Sequence, residues 1–497
     1  MVSKIDRVLQ EYPPRYGPEW GSGGIFGLKY FKGVLYYTLA FEASAYFVDD
    51  EILEYRFSEL GPGPASGGDT YNAVDVVDDK IFFGGWVHNP AVFKGKRNHA
   101  GEIDFRNKYS HVHEYDVRER KVRLLWKESI HDEFRWAGEV SQIIYDPVKD
   151  VLIIGRSDGM ENLGVYELSR DGRIFSKLSE VPALKGSLYL DYACFDMQPD
   201  WMRGVEGIQC LDLVRRVWVR HTIEDWAEVS LDGYGVSYRT SGYAASAYTR
   251  YWHFMRGGVL VGNPVEPEVE KPTFVRLFDF GMNVYAPHRS NALNLGGGIL
   301  AVFNASTHGF LHPHESSSGE ADLRKYFNTV VAPTALVYIT PPQARIVATF
   351  GARITSMTKA GSRILIAYNT TPNLGGKDST PVDGGVRGIM SVDEYTLLSS
   401  SNPPLTIRVP GWAVGNACFG GIPLTGFKEA ELFVRSSKHN EILINIYDIG
   451  LPPLNYGSER LKLSEGLNKI DLRSYRDIVS FKLEKPDENA LINIYLR

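Results

Sequence analysis

The chain has 497 residues, with 54 Lys and Arg set against 60 Asp and Glu for a formal net charge of −6. That length allows a sizeable core and either two domains or one large all-β ring. Neither charge sign forms a long run, which argues against a nucleic-acid footprint or a membrane-surface patch.

In chain order, MVSKIDRVLQEYPPRYGPEW is charged and proline-interrupted, with no apolar stretch of the kind a secretory signal needs. Residues 1–20 therefore read as an N-terminal extension. No segment reaches the roughly 18 apolar residues of a membrane span, so the expected compartment is the cytoplasm. Cys194, Cys210 and Cys418 are too few for a disulfide framework or a Cys-rich zinc site, although Cys194 and Cys210 could form one bridge.

From about residue 21 the pattern is β throughout. Runs rich in Val, Ile, Tyr and Phe are punctuated by 49 Gly and 26 Pro, with almost no 3.6-residue period. One unit recurs: a half-polar strand, a short turn, a nearly continuous apolar strand, then two outer strands. Its clearest copies are GIFGLKYFKGVLYYTLAF (24–41), YNAVDVVDDKIFFGGWVHN (71–89), VSQIIYDPVKDVLIIGRSDG (140–159), SNALNLGGGILAVFNAS (290–306) and ITSMTKAGSRILIAYNTT (354–371). Weaker copies open near Tyr189 (LYLDYACFDM, then GVEGIQCLDL) and near Gly233 (GYGVSYRTSG, then GGVLVGNP). The reading is an all-β chain: a seven-bladed β-propeller over residues 21–402, followed by a small antiparallel β-sandwich over 403–497. From about Pro403 the strands alternate apolar and polar residues, as a two-layer sandwich requires. SSSNPP (399–404) is the expected boundary, with LTIRVP as an alternative outer strand closing the ring.

In an up-and-down blade, the second-to-third loop and the blade-to-blade loop share one face. The long insertions 89–110, 262–273, 305–333 and 370–386 all read as following second strands, so one loop-bearing face is expected to carry function. Sealing of the channel by those loops is the simpler alternative. The sequons at Asn304 and Asn369 read as turn residues marking the same point in two blades.

Three groups on that face have chemistry to offer. Asp69, Glu139 and Asp191 would surround the channel mouth and supply the acid and base of a hydrolase or lyase, or else bond neighbouring blades. His88, His111 and His113, near Asp69, have ligand types suited to a divalent metal such as zinc or iron; the alternative is hydrogen bonding within a long insertion. Asn72, Arg156, Arg289 and Asn291 are candidates for ligand binding. His308, His312, His314 and Glu315 form a second cluster that reads as a solvated loop.

Aromatic residues make up 12% of the chain, which suits sugar rings as well as packing between blades. The leading expectation is a small-molecule or glycan-binding protein, and the rival is a non-catalytic scaffold that docks a protein partner. The stretches GGDTYNAVDVVDDKIFFGGWVHNP (67–90), KYSHVHEYDV (108–117) and WAGEVSQIIYDPVKDVLIIGRSDG (136–159) resemble an archaeal family of hypothetical proteins known only as a domain of unknown function. The resemblance implies a thermophilic archaeal cytoplasmic protein and brings no activity with it.

Overall fold

The structure, a computed structural model, describes residues 5–12, 24–91, 93–94, 102–200, 203–229, 239–281, 285–286, 289–305, 330–370 and 386–497. The chain is all-β, built from four-stranded antiparallel sheets that follow one another along the sequence. The first sheet is Ile25–Phe31, Val34–Leu39, Ser44–Val48 and Ile52–Tyr55. The second is Val74–Val77, Lys80–His88, Lys108–Asp116 and Lys121–Glu128, with Ser66–Gly68 added beside His88. Sheet three runs from Glu139 to Ser179 and sheet four from Gly186 to Thr222. Sheet five spans Ser241–Arg276 and sheet six Leu293–Phe350.

The seventh sheet combines Arg353–Ala360, Arg363–Asn369 and Arg387–Asp393 with a strand from the other end of the chain, Ile5–Tyr12. The stretch read as an N-terminal extension thus supplies an outermost strand. The first strands of sheets seven and one lie side by side: Leu28 N–H donates to Ser356 Oγ at 3.0 Å and Tyr30 N–H to Thr358 Oγ1 at 3.0 Å. The series therefore closes on itself.

Burial explains the sequence pattern. Second strands touch both neighbouring sheets, so Val34–Leu39 and Gly298–Ala305 are buried at every position and read as unbroken apolar runs. Outer strands such as Lys121–Glu128 expose alternate residues. First strands share a device near their start, where register slips by one residue at Phe26/Lys29, Val140/Gln142, Ser241/Tyr243 and Ile354/Ser356. Such bulges bend a strand and re-aim its side chains. Here they release hydroxyls to the next sheet: Ser141 Oγ donates to Ala183 O at 3.0 Å, and Thr355 Oγ1 to Ile25 O.

Two hairpins differ from the sequence reading. LYLDYACFDM is two strands, Gly186–Tyr189 and Tyr192–Asp196, joined at Leu190 and Asp191. In sheet five, Ser241–Ala247 and Arg250–Met255 turn at Tyr248 and Thr249. Leu190, Tyr248 and Thr249 all have positive φ, which is normally left to Gly or Asn, so neither turn carried a composition signal. GGVLVGNP is consequently a third strand, Gly258–Gly262, and the insertion after it falls on the opposite face from the one expected.

Beyond residue 403, two four-stranded antiparallel sheets order as Leu405–Pro410, Leu491–Leu496, Ala430–Ser436, Gly466–Asp471, and as Phe419–Pro423, Ile478–Leu483, Asn440–Tyr447, Asn455–Leu463. LTIRVP therefore pairs within this part and does not close the series. Leu432, Val434, Ile442, Ile444, Phe481 and Ile494 share one core with Phe278, two residues past the end of sheet five, and Phe303 of sheet six. At this junction Phe278 N–H donates to Gly421 O at 3.1 Å. A Cβ on Gly421 would meet Arg276 O at 2.5 Å, and its φ is +75°, so a side chain there is excluded twice over.

Asn304 lies inside a second strand, and Asn369 is the last residue of another, paired with Arg353 and Arg387; both are buried, so they are not turn residues. The Asn304 amide accepts from Ile354 N–H at 2.7 Å and donates to Ile354 O at 2.8 Å, clasping sheet seven to sheet six.

Candidate functional site: a central cavity and a buried charged layer

The seven first strands enclose a cavity of about 450 Å³ that touches every one of them. Its deep end is formed by buried residues, Lys185, Ser290 and Ser356 with Asn72, while Lys29, Tyr145, Leu188 and Leu293 are more exposed. The cavity therefore opens toward the first-to-second hairpin turns, the end away from the insertions after second strands.

Tyr71 and Asn72 form the partition at the deep end. Asn72 has a left-handed backbone, φ +59°, which suits an asparagine. Its amide accepts from Gly27 N–H at 2.8 Å and donates to Ser290 O and Thr355 O, both at 3.1 Å. One side chain thereby joins four segments of the ring. Asp69 fixes the bend by accepting from Tyr71 N–H at 2.7 Å and Ala73 N–H at 2.9 Å. Gly27 completes the fit, since a Cβ there would lie 2.8 Å from Asp69 Oδ2 at a φ of +67°.

Lys185 is 3% exposed and lines the cavity. Its ammonium donates to Tyr71 O and to Ser141 O, the latter at 2.9 Å, so that among the described residues one of its three N–H groups is uncommitted. Burial lowers its pKa to about 8, against the opposing pull of Asp69 and Asp196. Both carboxyls are pushed up by the same desolvation, Asp69 to about 6 and Asp196 to about 7. Ser290 is fully buried and lines the same floor, and its hydroxyl has no hydrogen-bond partner among the described residues.

On the other side of the partition lies a layer of buried charges. Glu139 Oε1 accepts from Lys108 Nζ at 2.5 Å, and that ammonium sits 4.7 Å from the Trp86 ring and 4.8 Å from the Trp136 ring. Glu139 Oε2 is buried without a partner among the described residues. Desolvation, opposed first by Lys108, pushes the Glu139 pKa up to about 8. Tyr71 OH donates to Asp158 Oδ2 at 2.7 Å, and Arg289 donates to the Tyr71 hydroxyl at 3.3 Å.

A carboxyl whose pKa is higher folded than unfolded contributes stability that is fully present below the unfolded value and lost as pH rises through the folded one. Glu139→Gln should therefore flatten the fall in stability between about pH 5 and pH 8, measured by urea unfolding at each pH. An unchanged slope would show that Glu139 ionises without cost.

The sequence candidates are distributed across these regions. Asp69 and Glu139 lie at the partition and the charged layer. Asp191 does not join them: it sits exposed in the hairpin after Tyr189, at the opposite end of the first strand, because that strand starts and ends earlier than its composition indicates. Arg156 is fully buried between sheets, bonded to Gly138 O at 3.0 Å and to Glu128 at 2.6 Å, and stacked over Trp126 and Tyr166. Asn291 lines the cavity but spends its amide on Met357 N–H and O, at 2.7 and 2.8 Å.

The histidines do not assemble into a ligand set. His111 pairs across from Gly85 and His113 from Phe83, whereas His88 is an even-numbered neighbour on the same strand and faces the other side of the sheet. His113 Nδ1 lies 3.0 Å from His111 Nδ1, and His113 Nε2 lies 3.1 Å from Tyr55 OH, with Phe57 and Phe83 packed around the pair. Burial lowers the pKa of His111 to about 3 and that of His113 well below its usual value. Both are neutral core side chains, and among the described residues no group of three His, Cys, Asp or Glu could hold a metal. The His308, His312, His314 and Glu315 cluster lies outside the described residues, as do most of the insertions at 305–333 and 370–386.

Cys194 and Cys210 form a disulfide directly across neighbouring strands of sheet four, and Cys418 is buried and free. Among the described residues no helix is long and apolar enough to cross a membrane.

The residues that sequence reasoning missed are Lys185, Ser290 and Arg353. Two of them had a signal: Lys185 is the single charge in VPALKGSLYL, and Arg353 opens the first strand of sheet seven as Glu139 opens that of sheet three.

With a closed series of four-stranded sheets around one cavity, the molecule is an all-β protein with its candidate site at the common centre of the sheets. The chain belongs to the family described as "Uncharacterized protein conserved in archaea (DUF2139)", which matches residues 35–377. No curated protein matches it. Among solved structures, it is similar to a catalytically inactive virginiamycin B lyase from Staphylococcus aureus with quinupristin, at 8% identity and TM-score 0.42, covering 77% of this chain and 99% of that one. An exo-beta-1,3-galactanase from Phanerochaete chrysosporium with galactose also matches, at 8% identity and TM-score 0.26, covering 86% and 95%. A chain of a nidogen/laminin complex matches at 13% identity and TM-score 0.28, covering 50% and 78%.

Proposed function

We propose that the chain is a seven-bladed β-propeller over residues 21–402, with Ile5–Tyr12 completing its last blade, followed by a β-sandwich over 403–497. On this reading it binds a small, oxygen-rich molecule in the axial cavity. The observation that carries the reading is the cavity itself: about 450 Å³ touching all seven first strands, with Lys185 and a Ser290 hydroxyl that has no partner among the described residues at its floor. That volume lies in the range of small-molecule sites, and a few convergent polar groups at the base of a partly apolar pocket are what such sites use.

Lys185 and Ser290 offer hydrogen-bond donors suited to a carboxylate or carbonyl oxygen, while Lys29 stands near the rim. A sugar acid has the size and oxygen content the cavity suits. Asp69 and Glu139 lie at or behind the Tyr71 and Asn72 partition, so binding is favoured over hydrolysis by paired carboxylates.

Calorimetric titration with glucuronate, gluconate, glucose and lactate tests this reading. Binding should be at least tenfold weaker in Ser187→Trp, which places an indole in the cavity.

A further inference from the structure

Val148, Ile174, Leu190, Val214, Val217 and Val269 all stand exposed to solvent. They lie in hairpin turns at the end of the sheets to which the cavity opens: 147–150 and 169–174 in sheet three, 190–191 and 212–217 in sheet four, and 263–272 in sheet five. Bonds and packing tie these turns into one surface. Leu213 N–H donates to Asp191 O at 2.9 Å, Arg216 to Asp146 Oδ2 at 2.8 Å and Arg170 to Asp150 Oδ1 at 2.7 Å, while Val265 packs on the core that holds Tyr189 and Cys210. Leu190 is 57% exposed and has a φ of +49°, a position that glycine or asparagine fills without strain. A leucine there is unfavourable on both counts until something apolar covers it.

Charge says what the cover is. The sheet-three turns carry Lys149, Arg170 and Arg173 against Asp150 and Asp171, and the sheet-four turns balance Arg215 and Arg216 against Asp191 and Asp212. The sheet-five turn carries Glu266, Glu268 and Glu270 against Lys271 alone; Glu270 is paired with Arg250 at 2.6 Å, and Glu266 and Glu268 are exposed. A neutral, aliphatic centre thus has a basic flank on one side and an acidic flank on the other. An anionic lipid surface would meet the carboxylates of the acidic flank and be repelled. A second copy turned through 180° would meet opposite charge at both flanks.

We propose that this surface pairs two copies of the chain about a two-fold axis through the sheet-four turns, laying sheet three of one copy on sheet five of the other. The aliphatic turn residues form the dry centre, and Lys149 and Arg173 face Glu266 and Glu268 at each flank. The inference does not depend on what the cavity binds.

Sedimentation velocity of the full chain over a range of micromolar concentrations tests the pairing. Wild type should sediment as a dimer. Leu190→Asn combined with Val214→Ser, two exposed changes, should dissociate about tenfold or more readily with an unchanged circular dichroism spectrum. Glu266→Lys with Glu268→Lys should weaken the dimer likewise, and adding Lys149→Glu and Arg173→Glu should restore it. A dimer that neither pair of changes weakens, or a charge reversal that the second pair does not rescue, would overturn the proposal. So would a monomeric wild type; if that monomer floats with phosphatidylglycerol vesicles, the surface belongs to a lipid face instead.

Discussion

Removal of residues 1–12 is expected to destabilise the protein by about 5 kcal/mol or more, since several strand hydrogen bonds worth about 1 kcal/mol each are lost together with apolar contact. Ile5–Tyr12 pairs with Arg387–Asp393 along its length. Leu9 and Tyr12 pack against the core of Ile25, Leu28, Leu35 and Tyr37, and Tyr12 OH lies 2.6 Å from Tyr37 OH. This strand joins the start of the chain to the last sheet of the series, so its loss would leave the Arg387–Asp393 edge bare and prone to pairing with other molecules. Urea unfolding of the truncated chain should show an early, broadened transition, and a synthetic peptide of residues 1–13 should restore part of the loss. An unchanged midpoint would mean that the ring holds without its first strand.

Lys185→Met is the second large effect, at about 3–5 kcal/mol, the usual cost of breaking one side of a buried ionic network. The variant strands the carbonyls of Tyr71 and Ser141 and removes the cation beside Asp69 and Asp196. Asp196 is already occupied with Leu184 N–H at 2.6 Å and Lys185 N–H at 2.9 Å, so Asp196→Asn should recover only part of the loss. A double-mutant cycle in urea measures that coupling. A loss near zero for Lys185→Met would show that the lysine is no structural anchor of the partition.

The order of half-polar, apolar and outer strands was legible in five units because second strands touch sheets on both sides and must be apolar throughout. It failed in sheets four and five for a local reason. Leu190, Tyr248 and Thr249 take positive φ without Gly or Asn, so two hairpins were read as single strands and Asp191 was assigned to the wrong end. The histidines failed for another: His88 and His111 approach along the sequence pattern, yet strand periodicity sends them to opposite faces. The closing strand Ile5–Tyr12 was hidden because pairing partners almost 400 residues apart leave no mark in local composition.

The candidate site was less legible than the fold. Asp69, Glu139, Asn72 and Arg289 were drawn to the right end of the strands by position, but position alone could not say that Tyr71 and Asn72 partition the centre. Nor could it show Lys185 reaching from sheet four to the carbonyl of Tyr71. Those facts depend on which side chains cross the axis, and they shift attention from the loop-bearing face to the cavity beneath it.

The central claim is that this cavity receives a ligand, and calorimetry on wild type and Ser187→Trp side by side reaches it most directly. The account predicts one-to-one binding of at least one sugar acid to wild type, weakened at least tenfold in Ser187→Trp while the unfolding midpoint stays within 1 °C, a tenfold change being about 1.4 kcal/mol. Equal binding to both proteins, or no binding of any of the four compounds to wild type, would contradict it.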